Sequence, residues 1–275
     1  MNSPIGIFDS GLGGLSVAAE VAAQLPNERI IYFADNAHVP YGERPLDEIR
    51  EFAGQITRFL VERGAKAVVM ACNMSSAVAL GPTRENHPDI PILGVIDPGA
   101  KAAVDASDGA PIGVLATTGT VKCDAYVHAI SRFDPVARVV QQACPKLVLL
   151  VEEGKADSEE AEAAIRGYVG PLLREGCRTI ILGCTHYPFL RRAIESAAGP
   201  DVAVVDPAKE TARVLKNILL ERNEAGDRLS GPHAFYTSGE SADFAALGGA
   251  FLGRPIEHVT SVTWDIDVRE TACRR

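Results

Sequence analysis

Apolar and polar positions along this chain fall into two alternating textures. Short, mostly apolar runs occupy residues 5–8, 30–34, 67–71, 92–96, 112–116, 139–142, 179–183 and 202–205. Between them lie longer Ala-, Glu- and Arg-rich segments, such as 47–63, 159–174 and 210–221. A short run that is apolar at every position predicts a strand buried on both faces. The longer, periodic segments predict helices. Their alternation predicts an α/β fold of parallel sheets flanked by helices.

The pattern occurs twice. "IGIFDSGLGGLSV" from Ile5 returns as "IGVLATTGTVKC" from Ile112, and "RIIYFAD" from Arg29 as "RVVQQAC" from Arg138. "GAKAVVMACNMSSAVAL" from Gly64 returns as "GCRTIILGCTHYPFLRR" from Gly176, and "ILGVIDPGAKAA" matches "DVAVVDPAKETA" with Asp97 on Asp206. The order is kept at nearly constant spacing, which points to an internal duplication. Two pseudo-symmetric lobes follow, with boundaries expected at 1–97 plus 208–275 for the first and 98–207 for the second. Open parallel sheets bind ligands at their strand C-termini, so the expected site is the cleft between the lobes. The last segment carries a helix, a strand at "AFYTS", a further helix and "VTSVTWDIDV". It is expected to pack back on one lobe.

The duplication singles out two thiols. Cys72 and Cys184 end the third strand of each copy, followed by Asn73 and Thr185. A lone cysteine after a strand is most simply a small core residue. A matched pair at facing strand-to-helix turns suits proton transfer, and a helix N-terminus is expected to lower the pKa of such a thiol. His186, two residues beyond Cys184, can hold or relay its proton. Asp9 ends the first strand, a costly place for a carboxylate without a partner. Asp35 ends the second strand, where it either caps its loop or serves the site.

Gly11-Leu12-Gly13-Gly14 is only superficially a dinucleotide fingerprint. The third glycine of G-x-G-x-x-G would fall on Ser16, and Asp9 would repel a pyrophosphate. The turn suits a small anionic group held by backbone N–H groups and Ser10, with Thr117, Thr118 and Thr120 at the matching turn of the second copy. Two thiols on opposite faces of one carbon can act as base and acid, inverting a stereocentre without a cofactor. Donors to the carboxylate and a dry cleft must then stabilise the carbanionic transition state.

Composition narrows this further. A formal net charge of −9 over 275 residues argues against a nucleic-acid-binding protein, which needs a basic surface. Mean hydropathy is +0.06, and no apolar run approaches the roughly 20 residues of a membrane helix. Met1-Asn2-Ser3-Pro4 leads into the first strand without a signal-peptide pattern, so neither export nor an N-terminal regulatory extension is expected. The six cysteines form no C-x-x-C pair. No metal site is expected, and free thiols suit the cytoplasm.

"IFDSGLGGLSV", "ADNAHVPYGER", "ACN", "GVIDPGAKAA", "IGVLATTGTV", "ACPKLVLLVEEG" and "ILGCTHYPFL" together resemble the glutamate racemases, within the cofactor-independent aspartate/glutamate racemase family. The resemblance spans nearly the whole chain in order. It implies an isomerase that interconverts L- and D-glutamate with no cofactor, supplies D-glutamate for peptidoglycan, and works in the cytoplasm as a homodimer. By analogy Cys72 deprotonates D-glutamate and Cys184 L-glutamate, assisted by Asp9 and His186, with Asp35 and Glu152 as secondary candidates. The implied substrate contacts are Asp9, Ser10, Pro40, Tyr41, Gly42, Asn73, Thr117, Thr120 and Thr185.

One position departs from the family. Thr usually follows Cys-Asn and contacts the amino acid through its hydroxyl; here that residue is Met74, which keeps only the backbone N–H. A lost hydrogen bond to a charged group costs about 1.5–3 kcal/mol, so glutamate affinity is expected to fall unless Ser75 or Ser76 supplies a hydroxyl. Alternatively Met74 marks a changed substrate, aspartate or another amino acid. A non-catalytic amino-acid-binding protein would keep the cleft but would not need both thiols.

Overall fold

The computed structural model describes residues 3–263. Ten strands run in chain order: β1 (Ile5–Asp9), β2 (Ile30–Ala34), β3 (Ala67–Met70), β4 (Ile92–Gly94), β5 (Ile112–Ala116), β6 (Val139–Ala143), β7 (Thr179–Gly183), β8 (Ala203–Val205), β9 (Ala234–Thr237) and β10 (Val259–Ser261). They form two parallel sheets, one ordered β10-β9-β2-β1-β3-β4 and the other β6-β5-β7-β8. The order β2-β1-β3-β4 thus recurs as β6-β5-β7-β8. The central strands β1, β3, β5 and β7 are buried along their whole length, which is why their sequences show no alternation.

The final segment extends the first sheet. β9 pairs with β2 (Phe33↔Tyr236) and β10 with β9 (Thr260↔Tyr236). The end of "VTSVTWDIDV", from Trp264 onward, lies outside the described residues.

Helices cover both faces of each sheet. On one side of the first sheet the helices Leu15–Gln24, Pro207–Glu221 and Ser241–Leu252 close over Ile5, Ile7, Tyr32 and Val69. On the other, Leu46–Glu62 packs Ile56, Phe59 and Leu60 against Phe8, Phe33 and Val68. The second sheet is closed by Ile96–Ser107 and Ala125–Phe133 on one face, and by Pro145–Glu152, Glu159–Arg174 and Arg191–Ala198 on the other.

The expected fourth strand, 92–96, stops early. Ser76 Oγ accepts the Val95 N–H at 3.1 Å while donating to Met70 O at 2.9 Å, so one side chain ends β4 and ties it to β3. The long crossover helices then exchange neighbours. Ile96–Ser107, arriving from β4, packs on β7 and on Ala125–Phe133, whereas Pro207–Glu221, arriving from β8, packs on Leu15–Gln24. They meet where Gly99 faces Pro207; a Cβ on Gly99 would lie 2.8 Å from Pro207 Cγ.

Candidate active site

Parallel strands that end at one level present their C-terminal turns together, and here both sheets do so toward one cavity of about 30 Å³. The first lobe lines it with Ser10, Pro40, Tyr41, Gly42, Cys72, Asn73 and Met74, the second with Thr117, Thr120, Cys184, Thr185 and His186. Val39 and Val148 complete the wall. No Lys or Arg lines it, so an anion there meets hydroxyls, an amide, backbone groups and His186.

Tight turns allow this convergence. A Cβ on Gly13 would sit 2.5 Å from Thr185 Oγ1 and 2.6 Å from His186 Nδ1; one on Gly14 would sit 2.5 Å from Asp9 Cβ. The glycines therefore serve the approach of side chains from both lobes. Of the backbone N–H groups expected to form an anion cradle at this turn, one is already engaged within it. The Gly11 N–H donates to Asp9 Oδ2 at 3.0 Å, and the Ser10 hydroxyl hydrogen-bonds Cys72.

The two thiols are buried, Cys72 at 6% and Cys184 at 7% exposure, and their surroundings differ. Cys72 stands at the start of the helix Asn73–Val78. Burial, reinforced by the Asp9 charge, pushes its pKa up to about 12, against the Ser75 N–H and the Ser10 hydroxyl, which pull it down. The lowering expected from a helix N-terminus is therefore reversed: six residues of helix are outweighed by desolvation and a neighbouring carboxylate. Cys184 Sγ instead lies 3.7 Å from His186 Nδ1, and His186 Nε2 lies 2.6 Å from Glu152 Oε1. Burial opposes the imidazolium, yet the hydrogen bonds and charges of Cys184 and Glu152 raise the His186 pKa to about 10. Positive charge thus sits beside one sulfur and negative charge beside the other.

Asp9 stands behind the cavity, fully buried, with Oδ1 accepting from Thr185 Oγ1 at 3.2 Å. Burial raises its pKa while His186, Gly11 and Thr185 oppose the shift. Asp35 does not line the cavity. It takes hydrogen bonds from Tyr41 Oη (2.5 Å) and Ser238 Oγ (2.6 Å) and pairs with His38 Nδ1 (2.8 Å), so it anchors the loop that carries Tyr41. Glu152 touches the site through His186.

Met74 is 3% exposed and packs with Tyr41, Ile49, Phe52 and Cys72. The substitute hydroxyls are not delivered. Ser76 is committed between β3 and β4, and the fully buried Ser75 lines no part of the cavity.

Residues 13–215 match the family model described as Asp/Glu/Hydantoin racemase. The chain belongs to this racemase family. A glutamate racemase of Desulforudis audaxviator is 44% identical over 265 residues, covering 94% of this chain and 97% of its own. The crystal structure of a glutamate racemase isoform from Bacillus anthracis superposes with a TM-score of 0.91 at 38% identity, covering 97% of this chain and 99% of the other. The glutamate racemase of Francisella tularensis, solved in complex with D-glutamate, gives 0.88 at 32% identity over 95% and 98%.

Sequence reasoning missed three residues at this racemase-family cleft. Val39 precedes Pro40 and Val148 lies in the helix Pro145–Glu152; each reads as ordinary packing until the lobes are brought together. Tyr126, fully buried in Ala125–Phe133, donates its hydroxyl to Asn73 Oδ1 at 2.8 Å across the lobes. An aromatic within an apolar helix face carries no sequence signal for that role. Among the described residues no group of three or more His, Cys, Asp or Glu side chains is placed to hold a metal ion.

Proposed function

We propose that this chain interconverts L- and D-glutamate, one of Cys72 and Cys184 removing the α-proton while the other delivers a different proton to the opposite face of the bound amino acid. The observation that carries the reading is the pair of buried thiols, at equivalent strand ends of two lobes, sharing one cavity with separate proton partners. Toward D-glutamate, Cys184, with the His186 imidazolium beside it, removes the proton from L-glutamate. Cys72, held as a thiol by burial and Asp9, delivers a proton to the other face. The reverse direction exchanges the roles, and no proton is gained or lost overall. Thr117, Thr120 and Asn73 supply neutral donors for the carboxylates, and the hydroxyl oxygens of Ser10 and Thr185 can accept from the ammonium.

The same reading places the lobe boundaries near residues 97 and 208, the protein in the cytoplasm, where it supplies D-glutamate for peptidoglycan, and two copies in a homodimer. Among the described residues no helix is long and apolar enough to cross a membrane. The deciding experiment incubates purified protein, without added cofactor, with L- or D-glutamate in deuterated solvent. Exchange of the α-proton from both enantiomers is expected, and no exchange from either overturns the reading. Met74 favours one alternative, a racemase of aspartate or another amino acid, which a chiral-chromatography panel of amino acids separates. Glutamate binding without exchange would indicate a non-catalytic binding protein.

A further inference from the structure

Asn73 follows one of the two thiols and lines the cavity, so the direction of its amide decides whether the cavity meets donors or an acceptor. The amide has one oxygen and one NH2 group, and rotating it by half a turn swaps them. Its amide is met from the opposite lobe by Tyr126, whose Oη donates to Asn73 Oδ1 at 2.8 Å. We infer that Tyr126 is a positioning residue, whose hydroxyl fixes the Asn73 amide so that Nδ2 faces the cavity as a donor for a substrate carboxylate.

Three features support this assignment. The Tyr126 side chain is fully buried and Asn73 is 5% exposed, so water does not compete freely for either group. The ring is held in place: it packs with Ile96, Ala100, Ile112 and Ile181, and a Cβ on Gly183 would come within 3.1 Å of Tyr126 Cε2. Burial and the charges of Asp206, Cys184 and Asp97 keep the phenol pKa well above its usual value, so the hydroxyl keeps its proton. A hydroxyl that keeps its proton can donate to Oδ1, and in that pairing the amide nitrogen is the group left for the cavity. Because Tyr126 lies on the second lobe and Asn73 on the first, the bond also couples carboxylate recognition to the relative placement of the lobes.

The inference rests on the racemase reading for its substrate, and its test keeps the two apart. Tyr126→Phe retains the ring and removes the hydroxyl. KM for both enantiomers is expected to rise about three- to tenfold, with kcat changing less, because a hydrogen bond of ordinary strength orients a binding group. In an Asn73→Ala background the same substitution is expected to leave KM unchanged, since Tyr126 then has nothing to orient. An unchanged KM in Tyr126→Phe, or an equal rise in both backgrounds, overturns the inference. An activity-independent readout is the Asn73 side-chain NH2 resonance pair of isotope-labelled protein, assigned by its loss in Asn73→Ala. It is expected to shift in Tyr126→Phe, and an unmoved pair overturns the inference. If the wild type exchanges no α-proton, the racemase reading fails while this measurement still decides whether the Tyr126 hydroxyl holds the amide.

Discussion

Cys72 and Cys184 occupy matching positions in a duplicated chain, yet their partners have diverged: a carboxylate behind one, an imidazolium beside the other. If each thiol serves one face, Cys72→Ser and Cys184→Ser each abolish racemisation, and retained turnover in either variant removes that thiol from the reaction. The His186 pair makes a pH prediction. Its pKa is raised from 6.5 to about 10, so the stabilisation from the imidazolium is complete below about pH 6.5 and is lost as pH rises through about 10. Glu152→Gln removes one of the groups that raise it. The alkaline fall in activity should move to lower pH by about one unit, measured as a pH–rate profile. An unmoved limb would place the titration elsewhere. Met74→Thr restores a hydroxyl but empties part of the cluster with Ile49 and Phe52. Glutamate KM should fall about tenfold while stability drops by about 2 kcal/mol. An unchanged KM would clear Met74 of any effect on affinity. The thiols, Asp9 and His186 were legible because the repeat marks strand ends. The place of Asp35 was not, since it depends on a loop folding back onto Tyr41 and on Ser238, some 200 residues away in the chain.

Elements were easier to read than their joints. The eight repeat strands follow from short apolar runs, but the end of β4 depends on Ser76, whose hydroxyl belongs to a different turn. Glycines separate the same way. Gly13 stands where a side chain would meet Thr185 and His186, whereas Gly54 lies inside the helix Leu46–Glu62 with nothing within 4 Å of an added Cβ. Gly13→Ala should lower kcat/KM by about a hundredfold through displaced site groups. Gly54→Ala should instead stabilise by roughly 0.5–1 kcal/mol, a melting rise of about 2 °C, with activity intact. Steady-state kinetics beside thermal melts checks both; a Gly13→Ala enzyme of normal activity would show that the turn yields more than its packing suggests.

At the scale of the whole molecule, the cleft is held by contacts that no single lobe contains. Gly42 meets Thr117, Gly119 approaches Gly42 O and Met74 Sδ, and Phe189 stacks on Phe251 at 4.3 Å. Such pairs are silent in the sequence because each partner looks complete within its own lobe. They also hold the cavity to about 30 Å³, room for about one or two water molecules. A dicarboxylic amino acid is larger; if it enters by parting the seam, closure must follow before reaction. Turnover then includes a movement made against the drag of the solvent. Thickening the medium with sucrose or glycerol should slow kcat in step with relative viscosity if that opening limits the rate. A kcat indifferent to viscosity, with a large isotope effect on the α-hydrogen, would put the limit at the proton transfers.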